Sequence, residues 1–150
     1  FPAPIGSAAS FDKALMYEIG ATIGKEARAY GIVQCFAPVI GTAREPRWGR
    51  VVETFGEDVF LTSNLALMFA LGAQGGDPSG ASLSRNTSII AGPKHFVAHS
   101  APQGGTNTAP VHAGQRELLE SFAPQFEWAV RYGGARNVMS EAGGSLCRPS

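Results

Sequence analysis

Apolar positions along the chain switch between two rhythms. In residues 11–30, FDKALMYEIGATIGKEARAY, Leu15, Ile19, Ile23, Ala27 and Tyr30 recur at steps of three and four, which predicts one face of a helix. Ser10 is the candidate N-cap and Gly31 the candidate stop. The run IVQCFAPVI that follows is apolar without that period and reads as a short buried strand. Residues 39–56 are loop-like, punctuated by Gly41, Pro46, Gly49 and Gly56. A second helix is predicted over 57–73, with Glu57 and Asp58 at its electropositive start and Leu61, Leu65 and Phe69 as its stripe. The segment GGDPSGASLSRN reads as a surface loop, and TSIIAGPKHF holds a second strand. After the polar loop HSAPQGGTNTAPVHAG, a third helix is expected from about 114 to 132, with Leu118, Phe122, Phe126 and Ala129 on one face. Pro124 lacks an N–H and crowds the preceding turn, so a kink or restart is expected there. ARNVMS is the third strand candidate.

Helices alternating with strands imply helical crossovers and a parallel sheet, hence an α/β fold. Two architectures fit: a doubly wound sheet, or part of a (β/α)8 TIM barrel. A complete barrel needs about 250 residues. With 150 residues and three strands, this chain is expected to be a partial barrel. In either architecture binding groups gather beyond the carboxyl ends of the strands. AREPRWGR follows the first strand, KHF the second and SEAGG the third, which places the polar groups on one rim.

Composition narrows the function classes. Apolar residues make up 44% and charged residues 16%, a globular balance. Twelve basic and 12 acidic residues cancel, and the basic ones are not massed, which argues against a nucleic-acid partner. No run of about 18 apolar residues suggests a membrane span. Two cysteines, Cys35 and Cys147, give no disulfide framework, and Cys35 sits in an apolar run as a buried thiol. The chain opens on Phe1 and FPAPIG, which reads as a cut end.

Arg50, Lys94 and His95 are the donors of interest, a set that suits sugar hydroxyls, a phosphate or a carboxylate. The bland alternative is that Arg44, Arg47 and Arg50 pair with Glu45, Glu53, Glu57 or Asp58 and fasten the loop. His95 and His99 have a metal-like spacing but no acidic residue between them, so no metal site is assigned. Glu53, Glu57 and Asp58 resemble a carboxylate pair, yet two of them belong at a helix start. GGDPSG and QGG lack a phosphate-loop pattern, and no nucleophile elbow supports a serine triad. Trp48 reads as a packing plate.

Taken together, FPAPIG, FDKALMYEIGATIGKEARAYG, FAPVI, REPRWGRVVETFGED, PKHFVAHSAPQGGTN and NVMS resemble the N-terminal barrel domain of glycoside hydrolase family 3, the β-glucosidase and β-xylosidase family, in the family's order and over nearly the whole chain. The resemblance implies a retaining β-glycosidase with no cofactor that acts on a β-glucoside or β-xyloside and belongs to a secreted protein. It implies that Arg50, Lys94 and His95 hold the hydroxyls of the non-reducing-end sugar. It leaves Arg44 and Arg47 to hold the loop against acidic neighbours such as Glu53 and Asp58. The chain departs from the family at both ends. It starts after the family's substrate-binding aspartate and stops before its nucleophile, and EAGGSLCRPS replaces an aromatic-Asn turn. Glu45 and Val59 stand where aspartate and proline are usual. No catalytic residue is therefore assigned. Residues 1–150 are read as a fragment of the barrel domain, truncated at both ends, that needs the rest of its barrel and a C-terminal domain and is inactive alone. A catalytically silent sugar-binding or structural derivative is the alternative, and a nucleotide-binding doubly wound domain a more distant one. Three strands cannot close a barrel, so Ile32, Phe36, Ile90 and Val138 should face water and leave the isolated chain loose and prone to aggregate.

Overall fold

The computed structural model describes residues 1–76 and 86–141; Cys147 and the segment from residue 142 onward lie outside the described residues, as does most of the GGDPSGASLSRN loop. Helix α1 spans Pro4–Ala8 and α2 spans Lys13–Ala29. Asp12, not Ser10, caps α2: its carboxylate accepts from the Leu15 N–H at 3.0 Å. Ser10 Oγ instead accepts from the Asp12 N–H and donates to the Ser7 carbonyl, one turn too early to be the cap. The helix ends at Gly31, whose φ of +80° suits a residue without a β-carbon. Helix α3 (Val59–Ala73) starts on Asp58, which accepts from the Leu61 N–H at 2.6 Å.

The face that α2 buries overlaps the predicted one but is centred on a neighbouring stripe. Met16, Gly20 and Gly24 are its buried residues, Ile19, Ile23 and Ala27 are half-buried beside them, and Leu15 and Tyr30 lie exposed. Glycine carries no hydropathy signal, yet it decides which side of α2 can touch α3. A β-carbon on Gly72 would land on the Tyr17 carbonyl oxygen and 2.9 Å from the Ala21 nitrogen. Backbones this close need glycine. Helix α3 is wedged between α2 and the last helix and buries residues all round, including Leu65, Ala66, Phe69, Ala70 and Ala73.

The third helical stretch comes in pieces: α4 (Gln115–Glu117), a wider π turn (Leu118–Phe122) and α5 (Pro124–Arg131). Pro124 opens α5, so the helix restarts there. Phe122, Phe126 and Ala129 are buried and Leu118 packs beside them, the expected face.

Extended segments lie between these helices, and every pairing among them is parallel. Regular strand is far shorter than predicted: β1 is Lys94–Phe96 and β2 is Met139–Ser140, with a register irregularity between Lys94 and Phe96. Residues 32–40 form no continuous strand and join the sheet through the isolated bridges Gln34–Ile90 and Val39–Lys94, with Gly92 N–H donating to Ala37 O between them. Pro38 has no N–H to give, and this segment has a neighbour on one side alone among the described residues. The three large helices contact one another in sequence order as one layer, α2 on α3 and α3 on α5. A single helical layer over a parallel sheet is a section of a (β/α)8 barrel, whereas a doubly wound sheet carries helices on both faces. The core joins the two layers through Met16, Ile40, Leu65, Phe69, Ile89 and Phe126. Ile32 and Phe36 are exposed, as expected of an open sheet, while Ile90 and Val138 are half-buried.

Gln74, fully buried just after α3, fastens the layers. Its Oε1 accepts from the Ala91 N–H at 3.1 Å and its Nε2 donates to the Gly134 carbonyl at 2.8 Å. No helix of the described residues is long and apolar enough to cross a membrane.

The α2–α3 contact gives a direct prediction. Gly72→Ala gains helix propensity of about 1 kcal/mol, but the collision with backbone that cannot move aside costs more, of order 1–3 kcal/mol. The variant should have a lower thermal unfolding midpoint than the unsubstituted protein; an equal or higher midpoint would mean that the helices have room to separate.

Candidate functional site

The backbone brings three loops to one place. Segment 38–40 clasps β1 on one side: Lys94 N–H donates to Pro38 O at 2.9 Å and Ile40 N–H to Lys94 O at 2.8 Å. Segment 139–141 clasps it on the other: Met139 N–H donates to Pro93 O at 3.0 Å and Glu141 N–H to Phe96 O at 2.7 Å. Parallel pairing sends all three segments out of the sheet at the same end, so the AREPRWGR loop, the residues after KHF and Glu141 meet.

Buried hydroxyls and an amide brace the first loop from below. Thr42 Oγ1 donates to Ser121 O at 2.6 Å and accepts from Gln125 Nε2 at 2.8 Å, while Ser100 Oγ donates to Thr42 O at 2.6 Å. Trp48 is 2% exposed and donates from its indole N–H to Asn107 Oδ1 at 3.0 Å, a packing plate with one polar tether.

The three arginines of the loop differ. Arg47 grips its neighbour Glu45 with two side-chain bonds at the surface, and the guanidinium holds that carboxyl down at about 2. Arg44 donates to Ser121 Oγ at 2.9 Å rather than to a carboxylate. Arg50, not its two neighbours, takes Glu53: Nε and Nη2 each donate to a carboxylate oxygen, at 2.7 and 2.8 Å. So Arg44 and Arg47 do not hold the loop against Glu53 or Asp58; Glu53 faces Arg50, and Asp58 is occupied as the α3 cap. Sequence places Glu53 and Arg50 three apart, but only the short 3-10 turn at Val51–Glu53 brings them face to face.

Around Arg50 the other polar groups converge. Its Nη1 lies 3.4 Å from His99 Nε2, and its guanidinium carbon lies 5.7 Å from the centre of the Trp48 ring, within cation–π reach. The His95 and His99 rings lie with centres 4.5 Å apart and planes tilted by 51°, and Trp48 meets His99 edge-on. Lys94 and Glu53 both line a cavity of about 290 Å³ that opens beside this cluster, with Phe36, Phe55 and Phe69 along its apolar side. A larger groove of about 540 Å³, beside Phe96, Phe126, Val130 and Val138, carries none of Arg50, Lys94 or His95. Size therefore does not mark the chemistry here. The polar cluster does.

Electrostatics follow from this crowding. Hydrogen bonds from Arg50 hold the Glu53 carboxyl below its usual range against the opposing effect of burial, with Lys94 and His95 adding to the pull. Burial, and then the charges of His99, Arg50 and Lys94, push His95 down to about 4, so its ring is neutral at pH 7. Burial and Arg50 push His99 down as well, and burial alone pushes Glu141 up. His95 Nδ1 and Glu141 Oε1 are both buried without a hydrogen-bond partner among the described residues. The spacing of His95 and His99 brings two tilted imidazoles into contact beside an arginine, and among the described residues no group of three or more metal-ligating side chains gathers. Sequence reasoning singled out Arg50, Lys94 and His95 as candidates but did not see His99 as their companion, because its proximity depends on the left-handed Ala98 (φ +69°) turning the chain back.

These shifts fix a pH dependence. A histidine whose pKa is depressed by folding contributes stability that is full above its unfolded value of 6.5 and is lost as pH falls towards its folded value. Glu53, depressed below 4.5, contributes stability that is lost lower still, and Glu141, raised above 4.5, acts in the opposite direction. With two histidines against one carboxyl, the unfolding midpoint should fall as pH drops from 6.5 to about 4. In His95→Asn that fall should be shallower. A midpoint that rises over this interval would contradict the assignment.

Comparison with known proteins agrees with the geometry. The model of the glycosyl hydrolase family 3 N-terminal domain matches residues 1–142. A putative β-xylosidase of Formosa agariphila is 36% identical over 143 residues, 95% of this chain and 18% of its own. A periplasmic β-glucosidase of Salmonella typhimurium is 32% identical over 127 residues, 85% of this chain and 16% of its own. The crystal structure of a β-glucosidase from Listeria innocua in complex with glucose superimposes with a TM-score of 0.90 at 34% identity, covering 97% of this chain and 20% of that one. The chain thus spans about a fifth of the length of the proteins it matches.

Proposed function

The chain belongs to glycoside hydrolase family 3, and from that premise we propose that it supplies the sugar-gripping part of a retaining β-glycosidase that releases terminal, non-reducing β-linked glucose or xylose. The observation that carries this reading is the convergence of Arg50, His95 and His99, with Lys94 beside them, where the three parallel segments leave the sheet. After Glu53 and His99 take their share, Arg50 keeps one N–H on each of Nη1 and Nη2. A sugar ring offers neighbouring hydroxyls at a spacing that such a cation can bridge. Lys94 adds an ammonium with no carboxylate partner within 4 Å among the described residues. His95, neutral at pH 7, can donate from one ring nitrogen and accept at the other, as a hydroxyl requires.

These groups bind; they do not cleave. A retaining mechanism needs a nucleophile and an acid/base carboxyl about 5 Å apart. Glu53 is committed to Arg50, and the buried Glu141 points at His99, so neither takes that part. In this reading residues 1–150 are a section of the N-terminal barrel domain, and other parts of a longer polypeptide, the remaining barrel and a C-terminal domain, bring the reacting carboxylates. Chemistry of this kind runs on two carboxyl groups and needs no metal or redox cofactor. The similarity to a periplasmic protein supports a place outside the cytoplasm.

Aryl β-glucoside and aryl β-xyloside hydrolysis by the natural-length polypeptide tests the proposal. Lys94→Ala should lower kcat/KM by about 10–100-fold, the loss expected for one charged hydrogen-bond donor. The 150-residue chain alone should not turn over. Unchanged kcat/KM in both Lys94→Ala and Arg50→Ala would overturn the assignment. A natural-length protein that binds glucose or xylose but cleaves neither aryl glycoside would favour a silent sugar-binding derivative.

A further inference from the structure

His99 is more than 90% buried, is not among the residues proposed to touch sugar, and stands between two charged side chains from different loops. On one side is Arg50 Nη1, 3.4 Å from Nε2; on the other is Glu141 Oε1, 3.6 Å from Nδ1. An arginine nitrogen only donates, so the Nε2 that faces it can only accept. A neutral imidazole with an accepting Nε2 carries its proton on Nδ1. That nitrogen lies 3.6 Å from Oε1 of the Glu141 carboxyl, too far for a direct hydrogen bond but within electrostatic reach, and Oε1 has no hydrogen-bond partner among the described residues. We propose that His99 is a positioning residue for Arg50, holding the guanidinium from behind through an accepting Nε2, and that Glu141 fixes the tautomer that makes this possible.

The surrounding groups favour the neutral ring. Arg50 faces His99 from the first loop, Lys94 and His95 come from β1, Glu53 from the turn beyond Arg50, and Glu141 from the end of β2. Trp48 closes the edge of the ring and adds no charge. Protonation of His99 would remove the acceptor and set two cations side by side. Glu53 cannot stand in, since it already holds Nε and Nη2 from the other side. Arg50 is thus clamped between an acceptor in front and an acceptor behind, with one setting of its guanidinium plane. A planar donor held in one setting loses less freedom when it takes a ligand. Glu141 is anchored in turn by its own N–H on Phe96 O, so the third parallel segment orients a side chain of the first.

The consequence for sugar affinity rests on the reading of Arg50 as a sugar ligand; the tautomer does not, and the two are measured separately. Two-bond proton–nitrogen correlation on the natural-length protein labelled with [15N]histidine reads the tautomer, and His99→Gln identifies the signal. The expected pattern at pH 7 is a neutral ring protonated on Nδ1. An Nε2–H tautomer, or an imidazolium, would overturn the proposal. Glu141→Gln should keep the fold and move the His99 nitrogen shifts, and unmoved shifts would remove Glu141 from the arrangement.

Affinity for D-glucose, a probe with no titrating group between pH 5 and 8, reads the consequence. His99→Leu should bind about tenfold or more weakly. In the unsubstituted protein glucose affinity should fall as pH drops and His99 takes a proton, whereas His99→Gln, whose side-chain oxygen can reach the place of Nε2, should recover affinity to within about threefold and show no such fall. If His99→Leu folds and binds glucose as the unsubstituted protein does, His99 does not position Arg50. If no form binds glucose while the tautomer is as expected, the sugar reading fails and the clamp on Arg50 stands.

Discussion

Everything in this structure that bears on function depends on β1 being paired on both sides in parallel. Lys94 receives Pro38 and Ile40 on one flank, and Met139 and Glu141 hold Pro93 and Phe96 on the other. Antiparallel pairing on either side would send one of the loops to the far end of the sheet and leave Arg50 or Glu141 distant from His95. The helices enforce the arrangement from outside. Gly72 lets α3 approach α2 at backbone distance, and Gln74 at the end of α3 ties Ala91 and Gly134 to the same side chain. Helix packing therefore sets where the sheet lies, and the sheet sets which loops meet.

The site carries a concentration of buried ionisable groups. An exposed ion pair such as Arg47 with Glu45 contributes little, about 0–1 kcal/mol. Burial of His95, His99 and Glu141 costs more, which is why the two histidines are pushed down and Glu141 is pushed up, each towards its neutral form. Polar atoms left without partners, His95 Nδ1 and Glu141 Oε1, sit within this same cluster. Desolvation of ionisable groups gathers where a ligand would repay it, while in the brace beneath, Thr42 with Ser100, Ser121 and Gln125, the hydroxyls are bonded and Gln125 Oε1 alone is left without a partner among the described residues.

Much of this was legible beforehand, for physical reasons. The helices α3 and α5 follow from stripes of Leu and Phe, and the restart at Pro124 follows from a missing N–H. Parallel order follows from alternation, and the common rim from parallel order. The family was legible from motifs that span the chain and is shown by the match over residues 1–142. The face of α2 was only partly legible: Ile19, Ile23 and Ala27 pack against the core, but its centre at Gly20 and Gly24 was missed because glycine packs without being hydrophobic. Residues 32–40 promised a regular strand because an apolar run does not reveal where pairing is broken, whereas the exposure of Ile32 and Phe36 was expected of an open sheet. The partner of Arg50 was given to its neighbours because a contact across a single 3-10 turn is invisible to counting. His99 was weighed only as a metal ligand, since nothing in HFVAHS announces that Ala98 turns back.

The central claim is that Arg50, Lys94 and His95 act on one ligand. The most direct measurement is a crystal structure of the natural-length protein soaked with glucose or xylose. The account predicts a sugar ring at the carboxyl end of β1, with its hydroxyls within hydrogen-bond distance of all three side chains and Glu53 and His99 still on Arg50. A sugar seated elsewhere, such as the apolar groove beside Phe126 and Val130, with Arg50 and Lys94 untouched, would contradict it.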